Sequence, residues 1–178
     1  MTRAGMISLR TATADDIAAI AALGRTSFCA AFEHLYRPED LASFLDQSYG
    51  TDAIAAEIAD PHYSHCLAID PDNGALAGFI KLKAPSGYAG YSDAVSPLAL
   101  CQLYTDPART GAGIGAKLME WALGQARAGG HDAVQLSVWS ENFGAQRFYR
   151  RYGFEKIADI FFWVGSHRDD EFLFELRI

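Results

Sequence analysis

Three closely spaced glycines, Gly111, Gly113 and Gly115, separate two segments with different hydrophobic periodicity. Residues 98–105 are largely apolar, which predicts a buried strand, whereas residues 114–128 repeat apolar positions at helical spacing. A second apolar run at 133–139 follows a pair of glycines that would end the helix. A strand, a crossing helix and a second strand of this kind place the two strands in one sheet, parallel to each other. The rest of the fold must therefore accommodate this crossover unit.

The remaining sequence predicts mainly antiparallel strands with helices beside them. The turn sequence Pro71-Asp-Asn-Gly74 favours a hairpin between two of these strands. We therefore predict a single α/β domain, residues 1–178, whose mixed and mostly antiparallel sheet has one parallel pair, the fourth and fifth strands. The other strands are predicted at 6–9, 64–70, 76–83, 154–164 and 172–178, and the other helices at 17–32, from Pro38 onward, at 52–59 and at 142–151.

The composition favours a globular protein without nucleic-acid or membrane partners. Half of the residues are hydrophobic, which is enough for one sizeable core, and the formal net charge is -7. Phosphate backbones bind clustered lysines and arginines, so we do not expect this acidic chain to bind nucleic acid. No apolar run approaches the length of a membrane span, and the first residues do not resemble a signal peptide. We expect a cytoplasmic protein.

The cysteines predict neither a disulfide framework nor a metal site. Cys29, Cys66 and Cys101 are odd in number, far apart in the sequence and contain no CxxC pair. Cys29 and Cys101 have apolar neighbours, and we expect both to be ordinary core residues. We expect no metal.

The glycine-rich turn is suited to a phosphate group. Glycine adopts positive φ and has no Cβ to obstruct a ligand, and the free N–H groups of a helix start attract anions. Arg109 or Lys117 would add positive charge. Three interpretations remain open: a tight turn needed only for packing, a dinucleotide fingerprint read as Gly111-x-Gly113-x-x-Ala116, and a site for the pyrophosphate of another cofactor. A dinucleotide fold normally has more strand–helix units after the turn than this chain offers, and the Gly-Lys-Ser/Thr of a P-loop is missing.

A second motif follows the predicted strand at 133–139. Asn142 is suited to cap the next helix, and Ala145 and Tyr149 share one face of it. Taken alone, this segment fits an ordinary helix cap followed by core aromatic residues equally well. The glycine turn and this segment together are far more specific than either one.

Together the two motifs resemble those of the GNAT superfamily of N-acetyltransferases. The turn is similar to the family's acetyl-CoA pyrophosphate loop, Q/R-x-x-G-x-G/A, with Thr110 in the place of the usual Gln or Arg. The family's second cofactor motif, Asn-x-x-Ala-x-x-Phe-Tyr-x-x-x-Gly-Phe, is matched at every position from Asn142 to Phe154. The predicted order of strands and helices also agrees with the GNAT-like fold over nearly the whole chain.

A more diffuse likeness points to the PaiA-type spermidine/spermine N-acetyltransferases within this family. It makes a polyamine or another alkyl amine the first expectation for the acceptor. The residues that carry it are Ser27-Phe28 with Phe32, Pro38-Glu39, Gly78 with Lys81, Val138-Trp139, the segment 162–165, and Asp170-Glu171.

The resemblance implies that acetyl-CoA lies between splayed fourth and fifth strands, and that the acetyl group passes directly to an amine in a ternary complex. Tyr149 matches the family's general acid for the departing thiolate, while Asn142 and Phe148 would contact the cofactor arm. The predicted fourth strand carries no acid, so the general base is expected elsewhere, with Glu33 first and Asp93, His34 or a water relay as alternatives. The main-chain contacts implied for the cofactor are those of Leu103, Tyr104, Thr105, Thr110, Gly111, Ala112, Gly113, Ile114, Gly115 and Ala116.

The functional expectation is therefore an acetyl-CoA-dependent N-acetyltransferase that acts on a small primary amine, with a polyamine such as spermidine as the first candidate, as a monomer or homodimer. Two alternatives remain open. One is a non-catalytic acyl-CoA-binding regulatory module, and the other is an acetyltransferase whose acceptor is a protein N-terminus or lysine.

Overall fold

The computed structural model describes residues 6–109 and 111–178, and within them a seven-stranded sheet with helices on both faces. The strands follow the spatial order β1-β2-β3-β4-β5-β7-β6. They are β1 Ser8–Thr11, β2 Tyr63–Ile69, β3 Leu76–Lys83, β4 Pro97–Thr105, β5 Ala133–Trp139, β6 Glu155–Val164 and β7 His167–Arg177. The helices are α1 Ile17–Phe32, α2 Pro38–Tyr49, α3 Thr51–Ala59, α4 Ile114–Ala128 and α5 Phe143–Arg151. None of the helices within this part of the chain is both long and apolar enough to span a membrane.

The parallel pair, β4 and β5, separates after a short paired stretch. Only Pro97 to Ala99 of β4 are in register with β5, opposite Ala133 to Gln135. Beyond this point β4 remains paired with β3, up to Thr105, and β5 remains paired with β7, up to Trp139. A gap therefore opens in the middle of the sheet, as the family resemblance implied.

Helix α4 anchors the larger core on one face of the sheet. Its residues Leu118, Met119 and Ala122 are fully buried there. Burial of a Leu or Met side chain stabilises the fold by roughly 1.5–3 kcal/mol. The helix lies so close to β3 that a Cβ at Gly78 would come within 2.9 Å of both Ile114 Cγ2 and the Tyr104 carbonyl oxygen. This close packing fixes the start of α4 beside the end of β4.

The opposite face is covered by α1, α2 and α3, which enclose one end of the gap. Phe28 of α1 and Tyr49 of α2 pack in one buried cluster with Val164 of β6. The Asp40 carboxylate accepts a hydrogen bond of 2.8 Å from the Ser166 backbone N–H. That bond holds α2 against the turn between β6 and β7, where Gly165 has a φ of +57°. These contacts place aromatic side chains of α1 and α2 next to the gap between β4 and β5.

The observed boundaries agree with the sequence predictions in the crossover unit and differ at the ends of the chain. Strands β3 and β5 and helix α4 have the predicted bounds. The prediction for the last strand was wrong at its start: β7 begins at His167 rather than at 172, because the whole segment from 167 pairs with β6. The first strand likewise lies two residues later than predicted, at Ser8–Thr11.

Candidate active site

The gap between β4 and β5 widens into a cleft of about 710 Å³. Three predicted cofactor contacts on β4, Leu103, Tyr104 and Thr105, lie along one wall. Asn142 and Tyr149, which come from the segment after β5, lie along the other wall. Residues from the predicted fourth strand and from the second motif therefore meet in one cavity.

The glycine turn leads from the end of β4 into the start of α4. Gly111 and Gly113 have φ values of +84° and +77°, and a Cβ built on either would have no neighbour within 4 Å. Gly113 is the N-cap of α4, and among the described residues no side chain caps this helix. The first N–H groups of α4, from Ile114 to Ala116, therefore lack an intrahelical acceptor next to this open turn, which suits an anion. Thr110 lies outside the described residues.

Not every group predicted at this turn is available to a phosphate. The N–H of Ala112 donates to the Arg109 carbonyl oxygen at 3.3 Å. The guanidinium of Arg109 pairs with the Asp70 carboxylate, and the Lys117 ammonium donates to the Ile7 carbonyl oxygen at 3.1 Å. The positive charge suggested by the sequence is thus partly committed to protein contacts, and the main-chain N–H groups are the principal anion-binding groups.

The side-chain amide of Asn142 has an oxygen and an NH₂ group that serve different purposes. The oxygen accepts a hydrogen bond of 3.1 Å from the Ala145 N–H and so caps α5. The amide NH₂ group is the part of this side chain that is left to donate into the cleft. The sequence predicted both the cap and a ligand contact, and the geometry is compatible with both.

Phe148 is placed behind the cleft rather than in its wall. Its ring lies 3.7 Å from the position of a Cβ on Gly115, and its ring centroid is 5.4 Å from that of Tyr149. It therefore packs α5 against the start of α4 and fixes Tyr149 beside the glycine turn. A direct contact of Phe148 with a cofactor stays a prediction.

Tyr149 presents a protonated hydroxyl to the cleft. Burial raises its pKa well above the usual value, and the neighbouring Tyr104 adds to the rise. A phenol in this state donates a hydrogen bond and does not ionise near neutral pH. The arrangement is suited to a proton donor.

The structure does not bring the predicted base candidates into the cleft. Glu33 is exposed in a short 3-10 turn after α1, where His34 is also exposed, and neither lies in the cleft wall. Asp93 is exposed and pairs with Arg177. The carboxylates that do line the cleft are Glu57, Asp169 and Glu171, which the sequence did not single out as bases.

The cysteine prediction was wrong for Cys101. The bulge in β4 near Leu100 turns the Cys101 thiol toward the cleft, where it is exposed instead of buried in the core. Cys29 is partly buried, and Cys66 is the fully buried one of the three.

The fold, the split strand pair and the uncapped glycine turn define an acyl-transfer enzyme of the GNAT type, and comparison with known proteins agrees. The sequence model for the Acetyltransferase (GNAT) family matches residues 29–154. The chain belongs to this family and is an N-acetyltransferase whose acetyl donor is acetyl-CoA.

The chain is similar in sequence to individual relatives, and similar in fold to solved structures. The chain is 29% identical to an uncharacterized N-acetyltransferase of Lactobacillus delbrueckii subsp. lactis over 161 residues, which is 89% of this chain and 90% of the relative. It is 30% identical to the aminoalkylphosphonate N-acetyltransferase of Salmonella typhimurium over 120 residues, 66% of this chain and 73% of the relative. Among solved structures, the PaiA N-acetyltransferase of Thermoplasma acidophilum in complex with coenzyme A superimposes with a TM-score of 0.79 and 22% identity, covering 98% of this chain and 100% of that one.

Proposed function

We propose that this protein transfers the acetyl group of acetyl-CoA to a primary alkyl amine, with a polyamine such as spermidine as the first candidate. The observation that carries the proposal is the path from the uncapped start of α4, along the edge of β4 that β5 leaves unpaired, to the cleft that Tyr149 lines. This path has an anion-binding end, a main-chain edge and a proton donor in the order that a pantetheine thioester requires.

The residues along this path have separate tasks. The N–H groups of the turn and of the first residues of α4 hold the pyrophosphate, within the predicted segment Thr110 to Ala116. The main chain of Leu103, Tyr104 and Thr105 pairs with the extended pantetheine arm in place of the missing neighbour strand. Asn142 donates its NH₂ group to the same arm, and Phe148 supports it from behind.

Tyr149 serves the leaving group. A thiolate leaves more readily when a positioned donor supplies its proton. Because burial keeps the phenol protonated, Tyr149 is able to donate to the sulfur throughout the neutral pH range. An alkyl ammonium has a pKa of about 10.4, so the acceptor must also lose a proton before it can attack.

Two features support a cationic acceptor of small size. The acceptor end of the cleft contains the carboxylates Asp169 and Glu171 together with aromatic side chains of Tyr36, Phe44 and Trp139. Carboxylates and aromatic faces both stabilise an ammonium group. The relatives are consistent with amine acetylation, since one of them is named for aminoalkylphosphonates and the structural neighbour is a PaiA enzyme.

The function is tested by thiol release from acetyl-CoA across a panel of polyamines, monoamines, aminoalkylphosphonates, amino acids and short peptides. We expect release that depends on enzyme and acceptor, with polyamines or simple alkyl amines as the best acceptors. A peptide as the best acceptor would favour action on protein N-termini or lysines. Tight acetyl-CoA binding without release for any amine would favour a non-catalytic acyl-CoA-binding module. Action in the cytoplasm, and as a monomer or homodimer, stays part of the proposal.

A further inference from the structure

Each of the three carboxylates in the cleft wall meets a different environment. A base must have a free lone pair and a pKa that leaves it basic yet able to accept a proton near neutral pH. The three therefore differ in their capacity to take a proton from an ammonium group.

Glu57 is committed to an internal ion pair. Its carboxylate receives hydrogen bonds of 2.9 and 3.1 Å from the buried Lys81 ammonium, and the His65 ring lies 3.6 Å away. Burial alone would raise its pKa, but the hydrogen bonds from His65 and Lys81 outweigh burial and lower it. Glu57 is therefore a weak base.

The Asp169 carboxylate also has protein partners for both of its oxygens. It accepts a hydrogen bond from the Tyr36 hydroxyl and lies 3.1 Å from the His167 ring nitrogen. The residue is buried, so these contacts replace water around both carboxylate oxygens. Asp169 orders the acceptor end of the cleft and contributes negative charge.

The surroundings of Glu171 raise its pKa, whereas those of Glu57 lower the pKa of that carboxylate. The Glu171 carboxylate is partly buried on β7, and burial raises its pKa to about 7, with a smaller contribution from the negative charge of Asp169 and an opposing hydrogen bond from Ser137 of β5. The other titratable groups that face it come from three elements: Tyr36 before α2, Tyr88 in the segment before β4, and Tyr104 of β4. Burial raises the pKa of each of these phenols, so they remain neutral and leave the Glu171 carboxylate as a basic group in the cleft.

The position of Glu171 fits proton transfer at the acceptor end. It lies opposite Trp139 in the pairing of β7 with β5, at the wall of the cleft. A second cavity of about 380 Å³, bounded by Tyr88 and by Phe162 of β6, also reaches Glu171. Tyr104 and Tyr149 line the same cleft as Glu171. An amine held at Glu171 therefore lies in the same cleft as Tyr149.

We propose that Glu171 takes the proton from the acceptor ammonium and is the general base of this enzyme. The assignment rests on the proposed function. One ammonium proton passes to the Glu171 carboxylate and then to solvent, and the freed nitrogen lone pair forms the C–N bond to the acetyl carbon while the C–S bond breaks. The sulfur receives a proton from Tyr149, and the second proton of the ammonium nitrogen restores the phenol. The products are the N-acetyl amine, the free thiol of coenzyme A and one proton in solution.

The test compares Glu171→Gln with Asp170→Asn as a matched control. Both variants remove one carboxylate from β7, but adjacent side chains of a strand point to opposite faces, and Asp170 is exposed beside Arg168. We expect Glu171→Gln to lower turnover by about 10²–10⁴-fold with a high-pKa alkyl amine, and Asp170→Asn to leave it near wild type. Calorimetric binding of acetyl-CoA should remain unchanged in both variants.

The dependence on pH and on acceptor basicity separates proton transfer from a structural role. Wild-type kcat/KM should rise with pH through a midpoint near the Glu171 pKa of about 7, and this step should be absent in Glu171→Gln. The defect should shrink at least tenfold with a low-pKa acceptor such as a hydrazine, which is already deprotonated. A Glu171→Asp variant, which keeps a carboxylate, should recover part of the activity and the pH step.

Two results would overturn the proposal in different ways. An active wild type with an equally active Glu171→Gln variant and an unchanged pH profile would remove Glu171 from the mechanism and leave the acetyltransferase function intact. A wild type that binds acetyl-CoA but releases no thiol with any amine would overturn the proposed function, and the role of Glu171 with it.

Discussion

At the scale of single residues, burial has opposite consequences for the two side chains that we assign to proton transfer. It raises the pKa of the Tyr149 phenol, which keeps the proton on a group that must donate it. It also raises the pKa of the Glu171 carboxylate to about 7, which strengthens a group that must accept one. The same loss of hydration thus prepares an acid and a base in one cleft.

The role of Tyr149 is tested by Tyr149→Phe. We expect turnover to fall by about ten- to ten-thousand-fold, the range of a proton-transfer group, because the departing sulfur loses its donor. Affinity for acetyl-CoA, measured by calorimetry, should barely change because the ring remains in place. Tyr152→Phe is the matched control: Tyr152 is on the same segment and packs against Phe148, but it does not line the cleft. Wild-type thiol release by Tyr149→Phe would remove Tyr149 from the mechanism.

The sequence, through its family resemblance, singled out Tyr149 and Asn142 as candidate site residues but did not single out Glu171 as a base, and the reason is physical. Tyr149 and Asn142 belong to a continuous motif on one short helix, so their relative positions follow from local spacing. Glu171 enters the cleft only because β7 pairs with both β5 and β6 in a particular register. Register depends on contacts between distant segments, and a shift of one residue would turn Glu171 to the other face. A single sequence does not fix it.

At the scale of elements, the crossover unit was the most predictable part of the fold. An apolar run predicted the limits of β5 correctly, and apolar positions at helical spacing, with glycines on either side, predicted those of α4 correctly. The polar segment His167 to Asp170 reads as a turn, and therefore the start of β7 was placed too late. In the fold this segment is an extension of the β6–β7 ladder beyond the main sheet, where side chains such as Arg168 are exposed and no apolar pattern is required.

The N-cap of helix α5 allows a test that separates stability from the proposed cofactor contact of Asn142. Asn142→Ala removes the bond from Ala145 N–H to the side-chain oxygen and should cost about 1 kcal/mol of the free energy of unfolding, measured by denaturant titration. It should also raise the KM for acetyl-CoA, because the NH₂ donor is lost. Asn142→Ser keeps a capping oxygen, so it should restore most of the stability but not the KM. Equal KM values for both variants and the wild type would show that Asn142 is a cap and nothing more.

At the scale of the whole molecule, shifted carboxyl groups give the stability two opposite dependences on pH. The pKa of Asp16 is lowered to about 2, chiefly by the hydrogen bond from Arg10, so its contribution is present above the unfolded value of 3.8 and is lost as the pH falls through about 2. The pKa of Glu171 is raised from 4.5 to about 7. Stability linked to Glu171 is therefore complete below pH 4.5 and is lost as the pH rises through about 7.

Because folding raises the pKa of Glu171, we predict that its ionised carboxylate destabilises the ligand-free protein at the working pH of the enzyme. Glu171→Gln, which cannot ionise, should unfold at a temperature close to that of the wild type at about pH 4 but several degrees higher at about pH 8. Thermal unfolding monitored by circular dichroism measures both values without any substrate, and Asp170→Asn should show no comparable difference between the two pH values. We expect the Glu171→Gln variant to be less active and yet more stable than the wild type at about pH 8. This combination is typical of a side chain that serves catalysis and lowers the free energy of unfolding. Equal unfolding temperatures for Glu171→Gln and the wild type at about pH 8 would mean that the folded protein does not raise the pKa of this carboxyl group, and the rising limb of the pH–rate profile would then need another source.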